Sequence, residues 1–107
     1  LLPELGCSVY QDWNGGRSWK RGPTYIVLVQ AEEEYLDEPY HRRRPGLNHL
    51  AFHAESRDHV DELTAKLRAR DVPILYEDAH PFAGGDDYYA VYFEDPERIE
   101  VELVAPE

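Results

Sequence analysis

The last twenty residues, Tyr88–Glu107, carry the most regular pattern in the chain, YYAVYFEDPERIEVELVAPE. They predict two strands, Tyr88–Glu94 and Ile99–Val104, joined by a tight Asp95-Pro96 turn. Side chains of a strand alternate between its faces, so Ile99, Val101 and Leu103 share one side, with Glu100, Glu102 and Val104 on the other. A carboxylate within an apolar strand loses hydration, at a cost of several kcal/mol unless something pairs with it. His49 sits in a second apolar stretch, GLNHLAFHA at Gly46–Ala54, and is the natural candidate to share whatever Glu102 faces.

The remaining elements follow from the same periodicities. Leu47–Ala54 reads as a strand, and a helix follows with Ser56 as its N-cap and Val60, Leu63, Thr64 and Leu67 on one face. Arg57 with Asp61 and Glu62 with Lys66 are spaced as i,i+4 charge pairs on the exposed side. Pro73 disfavours helix at Val72, so the helix is expected to stop near Asp71. A strand at Pro73–Glu77 and the loop Asp78–Asp87 lead into the final two strands, giving the order βαβββ.

Upstream, Leu1–Leu5 reads as the last turns of a helix closed by Gly6, a residue that tolerates the left-handed C-cap conformation. Strands are expected at Cys7–Trp13, Arg17–Lys20 and Thr24–Ala31, separated by Asn14-Gly15-Gly16 and Gly22-Pro23. The succession LLPELG, CSVYQDW, RSWK, TYIVLVQ echoes LRARD, VPILYED, YYAVYF, IEVELVA. The chain is therefore read as one domain, 1–107, with a first module at 1–31, a connection at 32–46 and a second module at 47–107. The first module lacks its opening strand and most of its helix.

Composition narrows the function classes. A chain of 107 residues with 42% hydrophobic content can bury one modest core. No apolar run approaches the ~20 residues that span a bilayer, so no membrane partner is expected. LLPELGCS lacks the basic start and apolar centre of a secretory signal, and a single cysteine, Cys7, allows no internal disulfide; a cytoplasmic setting is expected. The net charge of −11 argues against nucleic acid as a partner and favours cationic ligands or metal ions. Arg42-Arg43-Arg44 is read as part of a solvated connection. Gly15-Gly16 and Gly84-Gly85 form no phosphate-cradling loop, and Ser8, Ser18 and Ser56 stand in no nucleophile-elbow context.

The stretches GLNHLAFHAESRDHVDELTAKL, ILYED and YYAVYFEDPERIEVELV resemble the second module of the vicinal oxygen chelate superfamily. That superfamily includes glyoxalase I, bleomycin-resistance proteins, fosfomycin-modifying enzymes and extradiol dioxygenases. FEDPERIEVELV matches its aromatic–x-Asp-Pro-Asp-Gly-x-x-Ile-Glu-Leu-Val ending, with Glu97-Arg98 in place of the usual Asp-Gly. The resemblance implies an α+β fold of paired βαβββ modules forming an open U-shaped mixed sheet around a metal-containing cleft. It places metal ligands at His49 and Glu102, with a further ligand, usually a His, on a first-module strand that precedes Leu1. Val27 stands where some members carry another carboxylate.

On this resemblance the expected protein is a divalent-metal enzyme, with Fe, Mn, Zn or Ni acting as a Lewis acid on a small substrate with vicinal oxygens. The alternative is a metal-free protein of the bleomycin-resistance type that sequesters a cationic ligand. A homodimer is expected in either case. Glu102 is the candidate catalytic residue, with His80 in the loop as a candidate proton carrier. His53, on the face of His49, is expected at the rim, and Glu100 in solvent. Trp13, Trp19, Tyr89 and Phe93 are read as core or pocket lining, and Cys7 as structural.

Overall fold

The computed structural model describes residues 1–37 and 39–106. Glu38, within the expected connection, and Glu107, at the end of the expected second module, lie outside the described residues. The chain divides into two compact units, Leu1–Pro39 and Tyr40–Glu107.

The first unit opens with a short 3-10 turn, Leu2–Leu5, closed by Gly6 at φ 89°, where its N–H donates to the carbonyls of Leu2 and Pro3. Three antiparallel strands follow: β1 (Ser8–Trp13), β2 (Gly16–Arg21) and β3 (Thr24–Val29), in that order across the sheet. Gly15, at φ 100°, and Gly22, at φ 58°, make the two hairpin turns possible. The β1–β2 register shifts between Val9 and Gln11, and there the Gln11 N–H donates to the fully buried Ser18 hydroxyl. Much of the apolar surface of this sheet is open: Val9, Tyr10, Tyr25, Leu28 and Val29 are all exposed. Trp13 is exposed as well, which places it outside the core, with its ring over Gly16.

The second unit is a mixed four-stranded sheet with one helix. Its elements are β4 (His49–His53), α1 (Arg57–Ala69), β5 (Ile74–Leu75), β6 (Ala90–Glu94) and β7 (Glu100–Val104), and the sheet order is β4-β7-β6-β5. β4 and β7 run parallel and the other pairs antiparallel. Ser56 caps the helix as its sequence suggests: its hydroxyl accepts the His59 N–H at 3.1 Å. Val60, Leu63, Thr64 and Leu67 are buried, and the Thr64 hydroxyl is satisfied by the Val60 carbonyl at 2.8 Å. The helix packs against β5, β6 and β7, whose Val91, Phe93, Val101 and Leu103 are buried; Phe93 is thus core.

Several boundaries differ from the sequence reading for local reasons. β5 is only two residues long because Tyr76 adopts a left-handed φ of 55° and turns the chain out of the sheet. β6 begins at Ala90, since the Tyr88 N–H closes a turn onto the Gly85 carbonyl at 3.1 Å. β7 begins at Glu100, because the Asp95 carboxylate accepts the N–H groups of Glu97 and Ile99 at 2.9 Å each and holds Ile99 in the turn. Arg98 takes φ 68° in that turn, the conformation that the usual glycine would adopt without strain.

Two exposure expectations are corrected. Glu100 is 6% exposed, because β7 is an inner strand covered by neighbours on both edges and all five of its residues are buried. Arg42 is not a freely solvated side chain: it is 18% exposed, with Nη1 3.6 Å from the Glu94 carboxylate, which Arg98 also approaches at 3.3 Å. The expected helix pair is used differently too. Arg57 stacks over the Tyr89 ring at 4.8 Å, and Asp61 accepts the Tyr89 hydroxyl.

Candidate metal and ligand site in the second unit

Strand register brings the candidate residues together. His49 lies opposite Glu100, and Ala51 opposite Glu102, across the parallel β4–β7 pair, while Tyr92 lies opposite Glu102 across β6–β7. His49, Glu100, Glu102 and Tyr92 therefore project from one face of the sheet. They line a cleft of about 320 Å³ together with Asn48, Tyr76 and Ala83.

His49 Nε2 stands 3.7 Å from Glu102 Oε1; the histidine is 40% exposed and the carboxylate 5%. Asn48 Oδ1 lies 2.7 Å from His49 Nδ1. In the tautomer that carries its proton on Nδ1, His49 donates to Asn48 Oδ1 and Nε2 turns its lone pair toward the carboxylate. Two lone pairs facing each other, one of them on a buried carboxylate, repel unless a proton or a cation lies between them. A nitrogen and an oxygen donor converging on one spot, the histidine oriented by a carbonyl oxygen, is the arrangement that metal ligands show. The residues present therefore fit two positions of a divalent ion's coordination sphere. Among the described residues no group of three or more His, Cys, Asp or Glu side chains converges on one point.

Each buried carboxylate has a tyrosine. The Tyr76 hydroxyl donates to Glu100 Oε1 at 2.9 Å, and the Tyr88 hydroxyl donates to Glu102 Oε2. The bond to Glu102, followed by burial, pushes the Tyr88 phenol up to about 12. Burial, followed by the Glu102 charge, does the same for Tyr92, also to about 12. The bond to Glu100 raises Tyr76 in the same way. All three phenols thus stay protonated, as donors, at neutral pH. Tyr76 and Tyr92 meet edge to face with centroids 5.4 Å apart. A Cβ on Gly84 would come within 2.5 Å of the Tyr88 ring and 2.7 Å of the Tyr92 hydroxyl, so that position must be glycine for both rings to stand where they do.

The other sequence candidates lie elsewhere. His80 is held by backbone bonds from its N–H to Tyr76 and Glu77, at 3.0 and 3.2 Å, and does not line the cleft. Burial, followed by the Arg68 charge, lowers its pKa. His53 shares the His49 face at the far end of β4. Val27 is 43% exposed on β3 of the first unit, and Cys7 is buried. Sequence reasoning did not single out Tyr76, Tyr88, Tyr92 and Asn48. Period-two alternation does put Tyr88 and Tyr92 on one face, but which strand they face is decided by the β6–β7 register.

The sheet order, the helix on one face and the His–Glu pair on the other define a glyoxalase-like α+β fold. The chain belongs to the Glyoxalase/Bleomycin resistance protein/Dioxygenase superfamily, whose sequence profile matches residues 6–103. It is 60% identical over 106 residues to the uncharacterized protein YqjT of Bacillus subtilis (strain 168), a match covering 99% of this chain and 83% of YqjT. A crystal structure of a glyoxalase-class protein of unassigned activity from Bacillus halodurans superposes with a TM-score of 0.95 at 61% identity, over 98% of this chain and 79% of that one. The fold also matches the genomically encoded fosfomycin resistance protein FosX of Listeria monocytogenes, complexed with Mn(II) and sulfate. That match has a TM-score of 0.64 at 18% identity, over 99% of this chain and 76% of FosX. Among the described residues no helix is long and apolar enough to cross a membrane.

Proposed function

We propose that this protein is a divalent-metal-dependent enzyme acting on a small substrate with two adjacent oxygens. The observation that carries the reading is the approach of His49 Nε2 to the buried Glu102 Oε1, 3.7 Å apart on neighbouring strands of one cleft. His49 and Glu102 would hold the ion, with Fe, Mn, Zn or Ni matching a nitrogen and oxygen donor set. The Mn(II) in FosX, a protein of the same fold, supports that choice. Such an ion, when bound, supplies Lewis-acid polarisation of the substrate oxygens. Around it, Asn48 fixes the His49 ring, and Tyr76 and Tyr92 give the cleft apolar faces against which a small organic molecule can lie. Glu100 and Glu102 set a negative potential that favours a cation. The reading does not require His80.

Elemental analysis of the protein beside His49→Ala and Glu102→Gln variants tests this. Near-stoichiometric metal in the parent, lost in both folded variants, is expected. A parent that takes up no ion after incubation with each metal overturns it.

One observation favours a second reading. Two buried carboxylates and two tyrosine rings in one cleft also suit an organic cation held without metal, as in bleomycin-resistance proteins. Saturable binding of a cationic aromatic compound by the metal-free protein, abolished in Glu100→Gln, would support it. In either reading the exposed apolar residues of the β1–β3 sheet support a homodimer.

A further inference from the structure

From the arrangement around Glu102 we infer that Tyr88 is a positioning residue for the metal site, holding the Glu102 carboxylate so that one oxygen alone faces His49. The inference rests on the metal reading above. Glu102 uses its two oxygens differently: Oε2 accepts the Tyr88 hydroxyl, and Oε1 is the atom 3.7 Å from His49 Nε2. A carboxylate can rotate about its last torsion, so an unfastened Glu102 could present either oxygen or both. The phenol fastens one of them and fixes the plane of the other.

Four features keep Tyr88 in place. The hydroxyl of its neighbour Tyr89, just before β6, donates to Asp61 of α1. Arg57, one helical turn earlier, covers the Tyr89 ring at 4.8 Å, and Phe82 meets that ring edge to face at 5.5 Å. The Tyr89 carbonyl accepts the Ala105 N–H at 2.8 Å, tying this segment to the end of β7. Gly84 completes the seat from the loop side, since any side chain there would collide with the Tyr88 ring. Adjacent tyrosines thus fasten the same backbone to the helix on one side and to Glu102 on the other.

The Tyr76–Glu100 pair supplies an internal control. It is the same kind of contact, a tyrosine hydroxyl on a buried β7 carboxylate, but Glu100, two residues before Glu102 and opposite His49 across β4–β7, is not assigned as a ligand. The experiment is a titration of Co(II) into the parent, Tyr88→Phe, Tyr76→Phe and Gly84→Ala. It is followed by the visible absorption of the bound ion and by competition with Zn(II). Tyr88→Phe is expected to lose about 10–100-fold in metal affinity and to shift the Co(II) spectrum. Tyr76→Phe is expected to retain both affinity and spectrum. Gly84→Ala, which leaves the hydroxyl present but displaces the ring, is expected to follow Tyr88→Phe. Unchanged affinity and spectrum in Tyr88→Phe, with Co(II) bound by the parent, would overturn the positioning role and leave the metal reading standing. Equal losses in Tyr76→Phe and Tyr88→Phe would overturn it as well, by reducing the effect to a general loosening of β7. A parent that binds no Co(II) overturns both readings.

Discussion

β3 of the first unit and β7 of the second occupy the same place in the internal repeat, TYIVLVQ against IEVELVA, yet they live in different environments. β3 is a sheet edge with five of its six residues exposed, whereas β7 has a partner on each side and is buried throughout. Val27 in β3 stands where Glu102 stands in β7. A carboxylate in water is ordinary, but one with little water left must find a donor, a cation or a raised pKa. The difference teaches that burial, more than the strand pattern, turns a glutamate into a candidate ligand.

The largest test of the contrast is packing. Leu103→Ala, at a fully buried position, is expected to cost about 2–5 kcal/mol, while Leu28→Ala, at a position 53% exposed, stays within about 0.5 kcal/mol. Urea denaturation of both variants decides. A large loss at Leu28 would show that β3 is covered in solution.

Metal linkage comes next. An ion at about 100 times its Kd should raise the unfolding free energy by about 2.7 kcal/mol in the parent and by nothing in His49→Ala. Val27→Glu, adding a carboxylate on the exposed strand, should leave metal stoichiometry unchanged.

A pH test is smaller and specific to the second unit. Tyr88 and Tyr92 titrate at about 12 in the folded chain against an ordinary value of 10. Folding therefore favours the protonated phenols. In the metal-free protein that stabilisation is fully present below pH 10 and is lost as the pH rises toward 12. Denaturation midpoints across that window, with phenolate absorbance, should show it, and Tyr88→Phe should diminish it.

The smallest effect concerns the turns that feed the two strands. Gly22 enters β3 at φ 58°, and Arg98 stands just before β7 at φ 68°. A non-glycine residue pays roughly 1–2 kcal/mol there, partly offset by the entropy that glycine loses on folding. Arg98→Gly is thus expected to add up to about 1 kcal/mol, read as a higher Tm, less whatever the exposed Arg98–Glu94 pair contributes.

These elements also show what a sequence discloses. Ser56 and the Val60–Leu63–Leu67 spacing fixed the helix because capping and amphipathicity are local. The Gly6 cap and both hairpin turns were legible for the same reason. Strand alternation and the family resemblance singled out His49 in GLNHLAFHA and Glu102 in FEDPERIEVELV, and the structure places both on one cleft wall. Glu100 was misplaced because alternation says which side a residue faces and not whether that side is wet. Tyr76 could not be foreseen at all: it reaches Glu100 through a left-handed turn after a strand cut short. The role of Arg42 likewise depends on Glu94, a partner half the chain away.

The parallel pairing of β4 with β7 has a consequence for how the site comes into being. Antiparallel strands can meet through a short hairpin, but parallel neighbours require the chain to travel out and return. Between His49 and Glu102 lie α1, β5, β6 and every turn that joins them. The loop-closure entropy of that whole path must be met before the two donors stand side by side. A nascent or partly denatured chain can hold the helix or the β6–β7 hairpin and still have no place for an ion. On the metal reading proposed above, uptake of an ion would therefore come late in folding, and a bound ion would certify that the last long-range strand has docked.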